Sequence, residues 1–253
     1  MIASLPMYAR PANRAAHQVL WHLIRDELQR RGLPAPDDLD DAIDFQESWA
    51  RPDLVLGQIC NLPYRALFRH RVTAIAAMDY GLPDCAPGYY NSVFIVHRDS
   101  AVADKSDLLN GARMAANALL SQSGYGAAQQ WAADQGCLFS TTLMTGSHAA
   151  SIAAVATRQA DFATIDAQTW RMAQQDDPAT AQVRVIGTTA ASPCMTLITR
   201  AGQDPGPYLN AVTAAVAALP DGHRQTLGLR GVVALSPDAY DIPLPPEPRA
   251  VCG

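Results

Sequence analysis

Two polar loops carry the residues whose types and spacing suit the binding of a small anion. The first loop holds Ser121, Gln122, Ser123 and Gly124, between a predicted strand and a predicted helix. The first N–H groups of a helix have no partner within it, and the helix dipole adds partial positive charge at that end. Serine hydroxyls and a glycine beside those N–H groups make a cradle for an anion. A plain helix cap at Ser121 or Ser123 explains the same pattern without a ligand.

The second loop repeats the arrangement with Thr145, Ser147 and His148. If both loops belong to one lobe, their N–H groups and hydroxyls converge on a single ligand. His148 would donate to an anion oxygen, and its charge would respond to pH near neutrality. The alternative for His148 is a solvated or capping residue in the first helical turn.

Asp166 ends the next predicted strand. Beside an anion, its carboxylate would orient His148, accept from a protonated phosphate hydroxyl or meet a ligand amine. A helix cap is the alternative. Aromatic residues of predicted loops would line a cleft or simply pack, namely Tyr8, Trp49, Tyr80, Tyr89 and Tyr90.

Catalytic and metal-binding signatures are missing. The sequence has no GxSxG, HExxH, GxxxxGK[ST] or GxGxxG motif. Ser147 and His148 are adjacent, so on one helical turn they point about 100° apart and do not form a triad with Asp166. The five cysteines lack CxxC spacing, which predicts thiols and leaves a Cys60–Cys85 pair as the alternative. We therefore expect no catalytic residues, no metal and no cofactor.

Composition excludes two classes of partner. The net charge of −5 comes from scattered residues without a basic stripe, which argues against nucleic-acid binding. No run of 18 or more apolar residues is present, so no membrane insertion is expected. With 49% hydrophobic and 17% charged residues, the 253-residue chain should fold compactly.

The elements that must position the loops alternate along the chain. An amphipathic helix is predicted over residues 15–31, and further helices over 123–134, 147–158, 167–175 and 208–218. Short apolar runs predict strands at 54–56, 72–75, 93–96, 113–116, 139–144, 160–165, 183–186 and 195–199. This alternation is typical of α/β proteins, whose ligands lie beyond the carboxyl ends of the strands.

With these residues in view, the chain resembles the phosphate, phosphite and phosphonate substrate-binding proteins of ABC transporters, the PhnD-like group. The resemblance covers most of the chain, and it is most specific where a serine-rich loop is followed by a glycine-polar-histidine loop. The segments that carry it are Leu5–Tyr8, Gln58–Cys60, Tyr90–Ser92, Ser121–Gly124, Thr145–His148, Ala160–Asp161 and Ile165–Asp166.

The resemblance implies an α/β type II periplasmic-binding-protein fold: two Rossmann-like lobes that close on a ligand in the cleft between them. Lobe 1 would comprise residues 1–89 plus 190–253, and lobe 2 residues 90–189. It also implies that Ser121, Gln122 and Ser123 contact the phosphonate oxygens with His148, and that Tyr8 and Tyr90 close from the other lobe. The expected partners are a small oxyanion and an ABC transporter permease.

The sequence departs from the group in two ways. No export signal is visible, so the protein is expected in the cytoplasm if Met1 is the natural start, and in the periplasm if a signal has been removed upstream. The resemblance implies two segments that cross between the lobes, near residues 88–91 and 188–192. Members that bind aminoalkyl phosphonates have a carboxylate after the second crossing, and residues 192–196 here contain none, which disfavours an amino-bearing ligand. The alternative function is a cytoplasmic enzyme on the same fold, similar to those of the menaquinone (futalosine) route, using a cleft histidine.

Overall fold

A computed structural model of the chain describes residues 1–245, without the side chains of Thr141 and Thr142. The described chain divides into two compact units, Met1–Tyr89 with Pro193–Asp241, and Tyr90–Ser192 with the stretch that begins at Ile242. The chain therefore passes between the units at Tyr89/Tyr90 and Ser192/Pro193. The predicted lobe 1 corresponds to the first unit, except that residues 190–192 and the stretch from Ile242 were predicted in lobe 1 and belong to the second unit.

The first unit is built on a five-stranded mixed sheet in the order β1-β2-β11-β3-β12. Its strands are β1 (Ile2–Ser4), β2 (Leu54–Ile59), β3 (Val72–Asp79), β11 (Thr196–Arg200) and β12 (Gly231–Val233). Its helices are α1 (Arg14–Arg30), α2 (Phe45–Trp49), α3 (Asn61–Pro63), α7 (Pro205–Ala218) and α8 (Asp221–Leu227). Helix α1 packs against α7, because Leu20, Ile24 and Leu28 recur on one face of α1 and are buried there.

The second unit has its own five-stranded mixed sheet in the order β7-β6-β8-β5-β9. The strands are β5 (Ser92–His97), β6 (Arg113–Ala116), β7 (Ser140–Met144), β8 (Phe162–Asp166) and β9 (Val183–Thr188). The helices are α4 (Ala127–Asp134), α5 (His148–Ala156) and α6 (Ala167–Asp176). Two-residue strands β4 (Tyr89–Tyr90) and β10 (Ser192–Pro193) pair with each other where the chain passes between the units.

Helices cover both faces of the second sheet, as the alternation of its side chains requires. Phe162 of β8 belongs to the apolar cluster that contains Ala128 and Ala132 of α4. Ala163 and Ile165, which point to the opposite face, belong to the cluster of α5. Helices α4 and α5, which follow the two polar loops, thus pack on opposite faces of this sheet.

These observations confirm the predicted α/β class, and only short elements were missed. The strand at 113–116 has the predicted bounds, and the other predicted strands and helices lie within a few residues of theirs. Helices α2, α3 and α8 and strand β12 were not predicted, since each is too short to show a period. Residues 243–245 are irregular as expected, and the rest of the proline-rich tail, to residue 248, lies outside the described residues.

The cysteines differ in part from expectation. Cys60, Cys85 and Cys194 are thiols, so the alternative Cys60–Cys85 disulfide is not formed. Cys137 is disulfide-bonded, which the sequence analysis did not predict. Cys252 lies outside the described residues. Within residues 1–245, no helix has the length and apolar character needed to cross a bilayer.

Candidate anion-binding site

One edge of the second sheet gathers the ends of the strands that precede the polar loops. Strands β6, β7 and β8 run parallel, so Ala116, Met144 and Asp166 end at the same edge. Strand β5 runs antiparallel to β8 and begins there, with Ser92 opposite Asp166. Since loops at the carboxyl ends of parallel strands meet at one edge, the two polar loops become neighbours.

The first loop leads from β6 into a single π-helical turn, Gln122–Gly126, that continues as α4. Ser121 caps this turn, because its hydroxyl oxygen accepts from the Gly124 N–H at 3.0 Å. The Gly126 N–H bonds to the Ser121 carbonyl at 2.9 Å, which closes the wider π turn. Such turns occur often at functional sites. Ser121, Gln122 and Ser123 are all buried.

The second loop leads from β7 into α5. Gly146 has a φ of +83°, a conformation that glycine adopts at little cost, and it turns the chain toward the helix. Ser147 caps α5 by accepting from the Ala150 N–H at 3.1 Å. The Thr145 hydroxyl donates to backbone oxygens of Ala116 and Ser147 and lies 2.6 Å from Ser151 Oγ. Thr145 therefore fastens the second loop to the end of β6.

A direct contact between side chains joins the two loops. Ser123 Oγ lies 2.9 Å from His148 Nε2, and Ser121 Oγ lies 3.5 Å from Ser123 Oγ. The Ser123 side chain belongs to the first turn after β6, and His148 is the first residue of α5. The starts of the two helical segments thus meet at one place, as the sequence predicted for loops of one lobe.

His148 is a neutral base in this environment. Burial disfavours the charged imidazolium and lowers the pKa of His148 to about 4. Its second ring nitrogen, Nδ1, is buried without a hydrogen-bond partner. Near neutral pH the ring therefore offers one N–H donor and one acceptor nitrogen, and the contact with Ser123 uses one of them.

Gly124 is required by close approach. A Cβ at this position would lie 1.9 Å from Asn117 Oδ1 and 3.1 Å from His148 Cε1. Asn117 Oδ1 is itself buried without a partner. The Asn117 side chain therefore occupies the space that any larger residue at position 124 would need.

Asp166 is a helix cap, which was the alternative to a ligand contact. Its carboxylate accepts from the Thr169 N–H at 2.8 Å at the start of α6, and the residue is 1% exposed. The next N–H, that of Ala167, bonds to the Asn91 carbonyl at 3.1 Å. Contact of Asp166 with a ligand stays a prediction.

The two predicted tyrosines are buried. Tyr8 lies in the first unit, where its ring packs edge-to-face on Tyr80 with centroids 4.9 Å apart. Tyr90 is the first residue of the second unit and is 1% exposed. Trp49 also packs, against Phe45 and Phe68. Packing accounts for Tyr8, Tyr80 and Trp49, and a ligand role of Tyr8 or Tyr90 stays a prediction.

Two polar residues of this region were absent from the predicted site. Asn117 follows β6 directly and opens the first predicted loop, residues 117–126, but only residues 121–124 of that loop were predicted to contact a ligand. Thr164, inside β8, has a buried hydroxyl without a partner. Thr164 could have been noticed as a polar residue inside an apolar strand pattern. That pattern does not distinguish a ligand contact from packing.

The assembled groups are hydrogen-bond donors rather than reactants. The hydroxyls of Ser121 and Ser123 and the His148 ring follow one another in contact, and Ser147 caps the helix that begins at His148. Among the contacts described for these residues, no lysine or arginine side chain is present. The site therefore suits a small acceptor that receives several neutral hydrogen bonds, and partial positive charge from the helix ends adds to them.

Three solved structures share the fold over nearly the whole chain. XAC2383 from Xanthomonas citri, bound to chloride ion, has a TM-score of 0.70 and 17% identity, covering 94% of this chain and 92% of that one. PhnD1 from Prochlorococcus marinus, in complex with methylphosphonate, has a TM-score of 0.71 and 15% identity, covering 95% and 94%. A binding protein component of an ABC phosphonate transporter from Pseudomonas aeruginosa has a TM-score of 0.66 and 18% identity, covering 95% and 82%.

At these identities the similarity establishes the two-lobed α/β periplasmic-binding-protein fold. No curated protein sequence matches the chain. The family described as "ABC transporter, phosphonate, periplasmic substrate-binding protein" matches residues 25–240, which include every element from α2 to β12. The chain therefore belongs to the phosphonate ABC transporter substrate-binding protein family, a family of binding proteins and not of enzymes.

Proposed function

We propose that this protein binds a small phosphorus oxyanion, namely phosphate, phosphite or a simple phosphonate, at the two loops of the second unit. The ligand lies against Ser121, Gln122, Ser123 and Gly124 on one side and against Thr145, Ser147 and His148 on the other, and its oxygens accept hydrogen bonds from those of these groups that keep a free donor. The 2.9 Å contact between Ser123 and His148 carries the proposal, since it brings both helix starts to one point.

The hydrogen-bond pattern supports an anion. Each N-cap uses one N–H group of its helix start, and the remaining N–H groups of a first turn have no partner within the helix. Neutral donors and helix dipoles are enough to hold a compact anion without a cationic side chain. Relatives with this fold are described with chloride, ATP and methylphosphonate bound, so fold alone does not select the ligand.

The family supports a role in transport. Its members are periplasmic substrate-binding proteins of ABC transporters, which makes a permease the natural partner. We further propose that the two lobes close on the ligand and that Tyr8, Tyr90 and Asp166 then lie near it.

A thermal-shift panel tests the ligand class. We expect phosphate, phosphite or methylphosphonate to raise the melting temperature, and sulfate and chloride to raise it less. A ligand at 100 times its Kd adds about 2.7 kcal/mol, which is a shift of roughly 5 to 10 °C for a chain of this size.

The Ser123→Ala variant should lose most of that shift. The matched control is Ser236→Ala, because Ser236 is exposed in the first unit and its side chain makes no capping bond. An equal shift in Ser123→Ala and Ser236→Ala, or no shift of the wild type with any phosphorus oxyanion, contradicts the proposal.

A further inference from the structure

We propose that the site of the second unit binds its phosphorus ligand in the singly charged form, which keeps one P–OH group, in preference to the doubly charged form. The inference rests on the proposed function, because it names the ionic form of the same ligand at the same site. The charges of the two loops, and of the elements that hold them, carry the inference.

The two loops contain no ionised side chain near neutral pH. Residues 117–126 and 144–151 include no lysine, arginine, aspartate or glutamate. Burial lowers the pKa of His148 and raises that of Tyr125, so both of these side chains are neutral as well. A ligand held by the loops therefore meets neutral groups.

The positive charge at the loops comes from the two helix starts. One is the turn Gln122–Gly126 that continues as α4, and the other is the start of α5. Each helix start is equivalent to about +0.5 elementary charge, so the two together offer about one positive charge. This charge balances one negative charge on a ligand. A second negative charge would be buried among neutral groups, which is costly for any ion.

Most ionised side chains of the elements that hold the loops lie at the other ends of those elements. They are Arg113 at the start of β6, Asp134 at the end of α4, Arg158 after α5 and Asp161 before β8. Arg113 and Asp161 also form an ion pair with each other, with an N–O distance of 2.9 Å. These cations are therefore too far along the elements to compensate a second charge on the ligand.

Three further charged side chains are found on or against elements that meet the edge of the loops. Asp166 is a buried carboxylate at the end of β8 and adds negative charge there. The two cations have other partners, since Arg171 of α6 bonds to Gln168 and Lys105 donates to the Thr188 carbonyl at 2.8 Å. The Asp166 carboxylate disfavours a second negative charge nearby, and it accepts from a P–OH group where the ligand presents one.

Titration calorimetry of methylphosphonate into the full chain, across the second pKa of the ligand, tests the inference. Phosphorus NMR of the free ligand gives that pKa in the same buffers. Above it we expect the apparent affinity to fall by about tenfold per pH unit, because only the singly charged fraction binds well. An affinity that stays constant or rises through the second pKa overturns the inference.

The His148→Gln variant shows which group titrates. Glutamine has no proton to gain or lose, so the variant should bind more weakly and still keep the wild-type slope above the second pKa of the ligand. Loss of the slope in this variant would assign the pH dependence to the ring and overturn the inference.

The Asp166→Asn variant removes the negative charge at the loop edge and keeps a side chain that caps helices well. We expect the doubly charged form to gain about 10-fold in affinity relative to the singly charged form, which flattens the slope. The matched control is Asp134→Asn, which removes the same charge at the exposed far end of α4 and should keep the wild-type profile. Identical profiles for the two variants would overturn the role given to Asp166.

Failure of this inference differs from failure of the proposed function. No binding of methylphosphonate, phosphite or phosphate at any pH contradicts the proposed function. Binding that does not weaken above the second pKa leaves the proposed function in place and overturns the preference for the singly charged form alone.

Discussion

At the scale of single residues, Ser123 and His148 depend on each other. His148 is held neutral by burial, which lowers its pKa to about 4, and a neutral ring can donate only the one proton that its tautomer provides. Ser123 is 2% exposed and lies between the ring and the Ser121 hydroxyl. The Ser123 hydroxyl is thus in contact with a ring that carries no charge near neutrality.

The lowered pKa predicts a pH-dependent stability. In the unfolded chain the His148 pKa is near its ordinary value of 6.5, so the unfolded state binds more protons between about pH 6.5 and about pH 4. Stability from the neutral ring is therefore present above that window and lost as the pH falls through it. We expect roughly 2 to 3 kcal/mol of unfolding free energy to be lost between about pH 7 and about pH 4.

Urea unfolding of ligand-free wild type and His148→Gln across this range checks the prediction. Glutamine does not titrate, so the variant should lose less stability by this amount. The other histidines are common to both proteins and cancel in the comparison. Parallel pH profiles of the two proteins would show that His148 titrates normally.

At the scale of elements, the π turn Gln122–Gly126 and the start of α5 form one packed arrangement through Gly124 and Asn117. Thr145 N–H and Gly146 N–H also bond to the carbonyls of Ala116 and Asn117 at 2.9 Å and 3.1 Å. The loops are therefore held to each other by backbone as well as by side chains.

Substitution Gly124→Ala tests that arrangement. The added Cβ overlaps Asn117 Oδ1, so we expect a loss of about 1–3 kcal/mol in unfolding free energy together with weaker anion binding. Gly222→Ala is the matched control, because Gly222 lies inside α8 with nothing near its missing Cβ. The control should be neutral or slightly more stable, since alanine favours helix. Equal denaturation midpoints for Gly124→Ala and wild type would refute the close approach.

The sequence predicts much of the second unit because each long element there shows its own period or ends at a clear signal. The strand before Asn117 and the helices after Ser123 and Ser147 follow from apolar patterns, glycine and capping residues. The π turn does not follow, because it differs from an α-helical turn by one extra residue that no local pattern marks. The partner of His148 is likewise set by packing between distant segments.

Side-chain roles were harder to predict than positions. Serine, threonine and aspartate at helix starts suit a cap and a ligand contact equally, and the structure shows that Ser121, Ser147 and Asp166 are caps. Capping and ligand binding are compatible for a hydroxyl, which accepts from the helix and still donates. A capping carboxylate has no proton to give, so the predicted contact of Asp166 with a ligand requires a group on the ligand that donates.

At the scale of the whole molecule, each of the two units has its own sheet and its own apolar core. The residues that make the candidate cradle all belong to the second unit. The chain belongs to a family of ABC transporter substrate-binding proteins. The two polar loops of the second unit contain the groups that we propose bind the substrate. In the proposed function, one ligand contacts both loops at once.

Isothermal titration of methylphosphonate into wild type, Ser123→Ala, His148→Ala and the double variant tests that claim most directly. Each single variant should lose affinity by about 10-fold or more, because a hydrogen bond to a charged oxygen is worth about 1.5–3 kcal/mol. The double variant should lose less than the two single losses combined, since the residues are bonded to each other and serve the same ligand. Wild-type affinity in either single variant, or strictly additive losses, would contradict a single anion held between the two loops.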